Sequence, residues 1–257
     1  MTMEYNPTEL MACVASRVLE EGRSVFVGTG LPIIASMLAQ RLHAPNLLIV
    51  FEAGGIGPRI PTIPISVGDS RTFHRGVMAA SMDYVMSCAQ LGLIDYGFLG
   101  AAQIDPYGNL NTTVIGAHES PRVRLPGSGG ANDVGSLCHR TIILMRHDRR
   151  RFVEELDFLT TPGYLAGPGA REAAGLPADS GPYLVISQLG VMGFDDETKR
   201  MKLISVHPGV KVEDVVENTG FDMVIPEEVS TTEPPSETEL RLLRDEIDPQ
   251  GIVIGRV

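Results

Sequence analysis

The chain has 257 residues, is 43% hydrophobic and 21% charged, and carries a formal net charge of −11. These are the proportions of a folded globular protein rather than a disordered one, and the acidic balance argues against a phosphate-backbone partner. No apolar run approaches the ~20 residues needed to span a bilayer, so neither a nucleic acid nor a membrane is expected as a partner. Trp is absent and aromatics make up only 5%, which also argues against a base-stacking platform.

The opening Met1-Thr2-Met3-Glu4-Tyr5-Asn6-Pro7 lacks the basic and apolar regions of a secretory signal. Cys13, Cys88 and Cys138 lie far apart with no CxxC. That spacing suits a reducing, cytoplasmic setting better than a disulfide framework.

In chain order, Leu10, Met11, Val14, Ala15, Val18 and Leu19 recur at helical spacing before Gly22, so a first helix is expected there. Ser24-Val25-Phe26-Val27 reads as a buried strand. It runs through Gly28-Thr29-Gly30-Leu31-Pro32 into a helix ending at Leu42, Pro32 suiting the first turn because its missing N–H costs nothing there. Asn46-Leu47-Leu48-Ile49-Val50-Phe51 is a second strand, ending at Glu52-Ala53-Gly54-Gly55. This β-α-β unit predicts an α/β fold with a parallel sheet.

Residues 57–71, with Pro58, Pro61 and Pro64, read as irregular. A helix is expected over 81–91 and a strand over 96–100. Gln103-Ile104-Asp105-Pro106-Tyr107-Gly108-Asn109 reads as a turn, and 140–145 as a further strand. Residues 160–182, rich in Pro, Gly and Ala, read as a loop and as the one candidate seam in an otherwise single domain over 1–257. Segments 184–187 and 201–206 flank a polar turn at 195–198, which predicts an antiparallel edge. A short helix is expected over 211–218, and Ser236 with Glu239 has capping-box spacing for a last helix running to about Ile247.

Glu52 is the most informative polar residue. A carboxylate directly after an apolar strand sits at the carboxyl edge of the sheet, where α/β folds present ligands, and the following glycines leave room for a substrate. The alternative is that Glu52 caps a turn or pairs with Arg59 or Arg71. Pro126-Gly127-Ser128-Gly129-Gly130-Ala131-Asn132 reads either as a nest of backbone N–H groups for an anionic oxygen or as a flexible loop. Gly28 and Gly30 lack the third glycine of a dinucleotide fingerprint, Ile33 standing there instead. They read as a tight turn facing a ligand. There is no P-loop, no GxSxG elbow and no zinc-ligand spacing, so no metal is expected. His118-Glu119-Ser120 reads as a solvated turn. Arg149-Arg150-Arg151 reads as a solvated basic turn or as a contact for the phosphates of an acidic cofactor.

Longer motifs go further. Val27-Gly28-Thr29-Gly30-Leu31-Pro32, Ala44-Pro45, Glu52-Ala53-Gly54, Ser66-Val67-Gly68-Asp69, the run from Gly100-Ala101-Ala102 through Asn109, Gly127-Ser128-Gly129-Gly130-Ala131-Asn132, Glu217-Asn218-Thr219-Gly220-Phe221 and Glu246-Ile247-Asp248-Pro249 together resemble the class I coenzyme A-transferase family. The resemblance is to B subunits of the glutaconate coenzyme A-transferase type, over nearly the whole chain. It implies an open α/β fold, mostly parallel, with helices on both faces and an antiparallel edge.

The resemblance also implies a ping-pong exchange of coenzyme A between an acyl-CoA, short-chain or dicarboxylic, and a free carboxylic acid. Glu52 is then the nucleophile, passing through a glutamyl-CoA thioester, and Gly129, Gly130 and Ala131 supply the oxyanion or CoA-binding backbone. Gly28, Gly30, Ala53, Gly54 and Gln103 are candidates for the substrate cleft, Gln103 reading first as turn structure. A homologous A subunit is implied as an obligate partner that completes the active site. Ala53 stands where the glutaconate enzymes carry Ser. Relatives that lack the Glu act as decarboxylases or carbon–carbon hydrolases, so such a lyase or hydrolase, or a non-catalytic scaffold, is the rival reading.

Overall fold

Two apolar four-residue runs organise the first part of the chain. In the computed structural model, which describes residues 4–255, β1 (Ser24–Val27) and β2 (Leu48–Phe51) lie parallel and in register from Ser24 opposite Leu48 to Val27 opposite Phe51. Val25, Phe26, Val27, Ile49, Val50 and Phe51 are all buried. Continuous burial without alternation is the mark of parallel strands covered on both faces, and each such side chain contributes about 1.5–3 kcal/mol of apolar transfer. The ends of these two strands are therefore firmly placed. Met1, Thr2 and Met3 of the opening segment lie outside the described residues.

The chain divides into two compact units, Met1–Phe98 with Pro234–Val257, and Leu99–Glu233. In the first, α1 (Pro7–Arg17) precedes β1 and α2 (Leu31–Leu42) joins β1 to β2. α1 starts three residues before the expected Leu10. Asn6 accepts from the Glu9 amide at 2.9 Å, Glu9 reaches back to the Asn6 amide at 2.9 Å, and Pro7 opens the first turn.

Beyond β2 the sheet turns antiparallel through β3 (Gly55–Ile56) and β4 (Met78–Ala79). The irregular residues between them are fastened by Arg71 to Asp69 at 2.5 Å. α3 (Met82–Gln90) then leads to β5 (Tyr96–Leu99), which lies parallel to β1 on the side away from β2.

The C-terminal helix Glu237–Arg241 has the expected Ser236–Glu239 capping box. It runs on as a π-helical turn, Leu242–Ile247. Two charge pairs tie it to α1, Arg17 to Glu239 at 2.7 Å and Arg244 to Glu9 at 2.6 Å, with both carboxylates buried.

In the second unit two small ribbons come first, β6 (Gln103–Ile104) with β7 (Leu110–Asn111) and β8 (Val114–Ile115) with β9 (Val123–Arg124). α4 (Ala131–Leu137), β10 (Arg140–Leu144) and α5 (Ala170–Ala173) follow. β11 (Gly181–Ile186) lies parallel to β10.

The edge anticipated at 184–206 is antiparallel, but it holds one strand more than expected. β12 (Gly190–Phe194) lies between β11 and β13 (Met201–Val206) and is antiparallel to both, so the 195–198 turn joins β12 to β13. Its two glycines disguise it as loop. A Cβ on Gly190 would sit 2.3 Å from the Ser205 carbonyl oxygen, and one on Gly193 would sit 2.8 Å from the Ile204 side chain. Close neighbours impose glycine at both positions. α6 (Val212–Glu217) and β14 (Ser230–Thr231), parallel to β13, complete the unit.

The loop at 160–182 lies inside this unit rather than at a seam. The buried Arg171 guanidinium pins it, donating to the carbonyls of Gly163 at 2.8 Å and Gly135 at 3.2 Å and to Ser180 Oγ at 2.7 Å. No described helix is long and apolar enough to cross a membrane.

Candidate active site

Gly28 and Glu52 are the residues that follow the last register pair of β1 and β2, Val27 opposite Phe51. They therefore follow directly on the ends of two adjacent strands, at the carboxyl edge where an α/β sheet offers its loops to ligands. The turn after β2 is closed by the Gly54 amide donating to the Phe51 carbonyl at 2.9 Å, and the Ala80 amide donates to the Gly54 carbonyl at 2.9 Å.

Glu52 is half-buried, and its carboxylate makes no hydrogen bond or ion pair with any described residue. Both rival partners are engaged elsewhere, Arg59 with the Pro45 carbonyl at 2.7 Å and Arg71 with Asp69. Two other carboxylates of this unit, Asp95 and Glu239, are by contrast committed to structure. Asp95 accepts from the Ser24 amide and hydroxyl at 2.9 and 2.8 Å, and these bonds with the nearby Arg23 hold its carboxyl below the usual range against the opposing pull of burial. Glu239 is likewise held low by Arg17 and Ser236, although burial acts the other way.

The glycines around Glu52 divide into two kinds. At Gly54, φ is +108° and a Cβ would stand 2.0 Å from the Ala80 carbonyl oxygen; at Gly55 it would stand 2.1 Å from that of Thr72. The space beside these two is filled by the protein's own backbone, not left for a substrate as expected. At Gly28 and Gly30 an added Cβ meets nothing within 4 Å. Gly30, at φ +85°, is glycine for its backbone, whereas no internal neighbour and no positive φ requires glycine at Gly28. Ala53 occupies the same turn and is half-buried.

The second unit holds the remaining candidates. The segment at 126–132 is a turn opening into α4, a helix too short and too rich in small residues to show in the sequence pattern. Gly127 is fixed by its amide to the Thr112 carbonyl at 2.9 Å and by its carbonyl accepting from the Thr112 hydroxyl at 2.8 Å. The Ala131 amide donates to the Ser128 carbonyl at 2.9 Å. Gly129, at φ +49°, and Gly130, which caps α4, have amides with no acceptor among the described residues. Of the three expected donors, these two are available to a ligand.

Gln103 is buried and both ends of its amide are engaged. Nε2 donates to Asp157 at 2.8 Å, and Oε1 accepts from Asn111 at 2.6 Å and from the Asp157 amide at 3.1 Å. These bonds join it to Asn111 and Asp157 rather than to the 103–109 turn, and the residue also lines a groove of the second unit. Asp105 and Asn109 organise their turn, Asn109 Oδ1 accepting the amides of Gly163 and Leu165. The structure thus gathers Gly28, Gly30, Glu52, Ala53 and Gly54 at one sheet edge of the first unit, and sets Gly129, Gly130, Ala131 and Gln103 in the second.

Other nucleophiles and bases are poorly placed. Burial pushes the thiols of Cys13 and Cys138 up to about 12, which keeps them protonated and unreactive. His147 is stacked on Phe152 with ring centroids 3.6 Å apart and bonded to Ser187 and Thr219, and burial pulls it down to about 4. His118 stacks on Phe158 at the surface. Among the described residues no group of three His, Cys, Asp or Glu is placed to hold a metal ion.

Comparison with known proteins gives this edge a context. Residues 8–218 match the coenzyme A transferase family model. The chain is 41% identical to the B subunit of glutaconate CoA-transferase from Acidaminococcus fermentans, covering 95% of this chain and 93% of that protein. It is 38% identical to the B subunit of 3-oxoadipate CoA-transferase from Pseudomonas knackmussii, over 93% and 92%. The crystal structure of the Acidaminococcus fermentans glutaconate enzyme superposes with a TM-score of 0.93, 39% identity and coverage of 99% of this chain and 98% of that one. That of the decarboxylase AibA/AibB superposes with a TM-score of 0.83 at 27% identity, over 98% and 100%. The anticipated α/β fold is the one these proteins share.

Proposed function

The chain belongs to the coenzyme A transferase family, with the sequence and fold of a B subunit of that enzyme class, and from that footing we propose that it transfers coenzyme A by a ping-pong route through Glu52. The supporting observation is the Glu52 carboxylate itself, half-buried at the open edge of two parallel strands and committed to no other group. A carboxylate held without a structural partner can act as a nucleophile.

In the first displacement a Glu52 oxygen attacks the thioester carbonyl of an acyl-CoA, and the CoA thiolate leaves, giving an acyl-glutamyl anhydride. The thiolate attacks the Glu52 carbonyl carbon and releases the acyl group as a free carboxylate, leaving a glutamyl-CoA thioester. An acceptor carboxylate attacks that thioester, expels the thiolate and forms a second anhydride. The thiolate then takes the acceptor's acyl group and restores Glu52. Splitting one exchange into four displacements keeps each barrier accessible without water. Every displacement passes through an oxyanion, which a fixed hydrogen-bond donor stabilises; one such donor is typically worth on the order of a hundredfold in rate.

The acyl group is read as short-chain or dicarboxylic, from the likeness to subunits whose names specify glutaconate and 3-oxoadipate. The partner is a homologous A subunit, as in the AibA/AibB pair. The test is initial-rate kinetics of the assembled enzyme with a panel of acyl-CoA donors and acetate as acceptor. Parallel double-reciprocal lines, lost in Glu52→Gln, support the reading. Release of carbon dioxide or of a cleaved carbon chain without any acceptor replaces it with a lyase or hydrolase. Undiminished turnover in Glu52→Gln reduces the chain to a scaffold.

A further inference from the structure

A groove of about 610 Å³ in the second unit is basic, against the grain of a chain whose net charge is −11. Arg122, Arg150 and Arg151 line it together with a single carboxylate, Asp148. Arg151 is neutralised by Asp148 at 3.1 Å. Arg122 and Arg150 are exposed, and their guanidiniums make no hydrogen bond or ion pair with any described residue. Apart from Gln103 the rest of the lining is apolar, from Ala102, Ile115, Val123 and Val153. Two uncommitted guanidiniums over an apolar floor suit a ligand with phosphate groups and a weakly polar body, since guanidinium meets phosphate in a paired, charge-assisted geometry.

The backbone adds direction. Ile115 and Val123 face each other in the β8–β9 ribbon. The ribbon continues through Leu125 N–H to the Thr113 carbonyl at 3.0 Å and Gly127 N–H to the Thr112 carbonyl at 2.9 Å, and so reaches the Gly129–Gly130 turn. From Val123 to Gly129 the chain spans at most ~20 Å, the scale of an extended phosphopantetheine arm. We propose that Arg122 and Arg150 anchor the nucleotide phosphates of coenzyme A in this groove, with the pantetheine arm running along the ribbon toward Gly129 and Gly130. The proposal rests on the coenzyme A-transfer reading and adds to it two specificity-determining residues far apart in sequence.

The test compares the assembled enzyme with Arg122→Ala/Arg150→Ala and with the double Lys variant, on an acyl-CoA and on the same acyl group carried by pantetheine without the nucleotide. Adenosine 3′,5′-bisphosphate serves as a competitive probe. One charged contact is worth roughly tenfold in affinity. The Ala variant is expected to raise KM for the acyl-CoA and the inhibition constant of the bisphosphate by tenfold or more, to leave the pantetheine thioester unaffected, and to be partly restored by Lys. Equal effects on both thioesters, or none, overturn the proposal. So does release of the variant from its partner on size-exclusion chromatography, which would make the groove a protein-docking surface. Bisphosphate binding that depends on the two arginines in an enzyme that transfers no coenzyme A would leave the groove standing and refute the transfer chemistry alone.

Discussion

Two glycines beside Glu52 should respond oppositely to the same substitution. In Gly54→Ala the new methyl lies 2.0 Å from the Ala80 carbonyl oxygen and 2.6 Å from its carbon, on a residue whose φ is +108°. A backbone neighbour cannot rotate away as a side chain would. Left-handed strain of about 1–2 kcal/mol adds to an overpacking cost of about 1–3 kcal/mol, so the loss is ~3 kcal/mol, and the bond from the Ala80 amide to the Gly54 carbonyl should weaken with it. In Gly28→Ala the methyl meets nothing within 4 Å, and stability should stay within about 0.5 kcal/mol or rise slightly as the unfolded chain loses freedom. Activity should nevertheless fall, because the methyl enters the space beside Glu52 that a ligand would use. Chemical denaturation of both variants, with transfer kinetics on Gly28→Ala, reads all three quantities. A Gly54→Ala protein as stable as the parent, or a Gly28→Ala protein of unchanged stability and full kcat/KM, would refute the division of these glycines into structural and ligand-facing.

Other expectations follow from the same geometry. Arg244→Ala strips the buried Glu9 carboxylate of its 2.6 Å partner; since the arginine is partly exposed, the cost should be about 2–4 kcal/mol, visible as a lowered Tm, with Arg244→Lys recovering part of it. His147 falls from its ordinary 6.5 to about 4 through burial. The unfolded chain therefore takes up a proton that the folded chain refuses as pH drops from about 6.5 to about 4, and this site should remove up to ~3 kcal/mol of stability over that window and nothing above it. Urea denaturation at pH 7, 5 and 4 should show a shallower loss in His147→Gln than in the parent. Cys13 and Cys138, buried with thiols held near 12, should resist a thiol reagent in the native protein and react only after denaturation; prompt native labelling of either would contradict their burial.

The sequence is most readable where burial is continuous. The run 24–27 matches its strand residue for residue, and the run 46–51 exceeds its strand by only two residues, because two-sided burial writes an unbroken apolar signature. Ser236 and Glu239 announce their helix through capping chemistry that is local by nature. The features that escape the sequence depend on neighbours distant along the chain. β12 hides behind Gly190 and Gly193, whose requirement comes from Ser205 and Ile204. α4 has seven residues of mostly small side chains and no side-chain cap, and Arg171 reveals itself only through the carbonyls it gathers. Glu52 is legible as a strand-end carboxylate, but its freedom from Arg59 and Arg71 is not, since that rests on where those arginines fold. Arg122 carries no local signal at all; only the groove joins it to Arg150.

The most direct test of the account is the mass of the enzyme during turnover. After incubation with an acyl-CoA and no acceptor, peptide mass spectrometry should find coenzyme A joined as a thioester to Glu52. Borohydride should convert that side chain to the alcohol, and Glu52→Gln should carry no adduct and exchange no coenzyme A. Steady exchange with Glu52 unmodified, or a Glu52→Gln enzyme that turns over at the parent rate, would contradict the central claim.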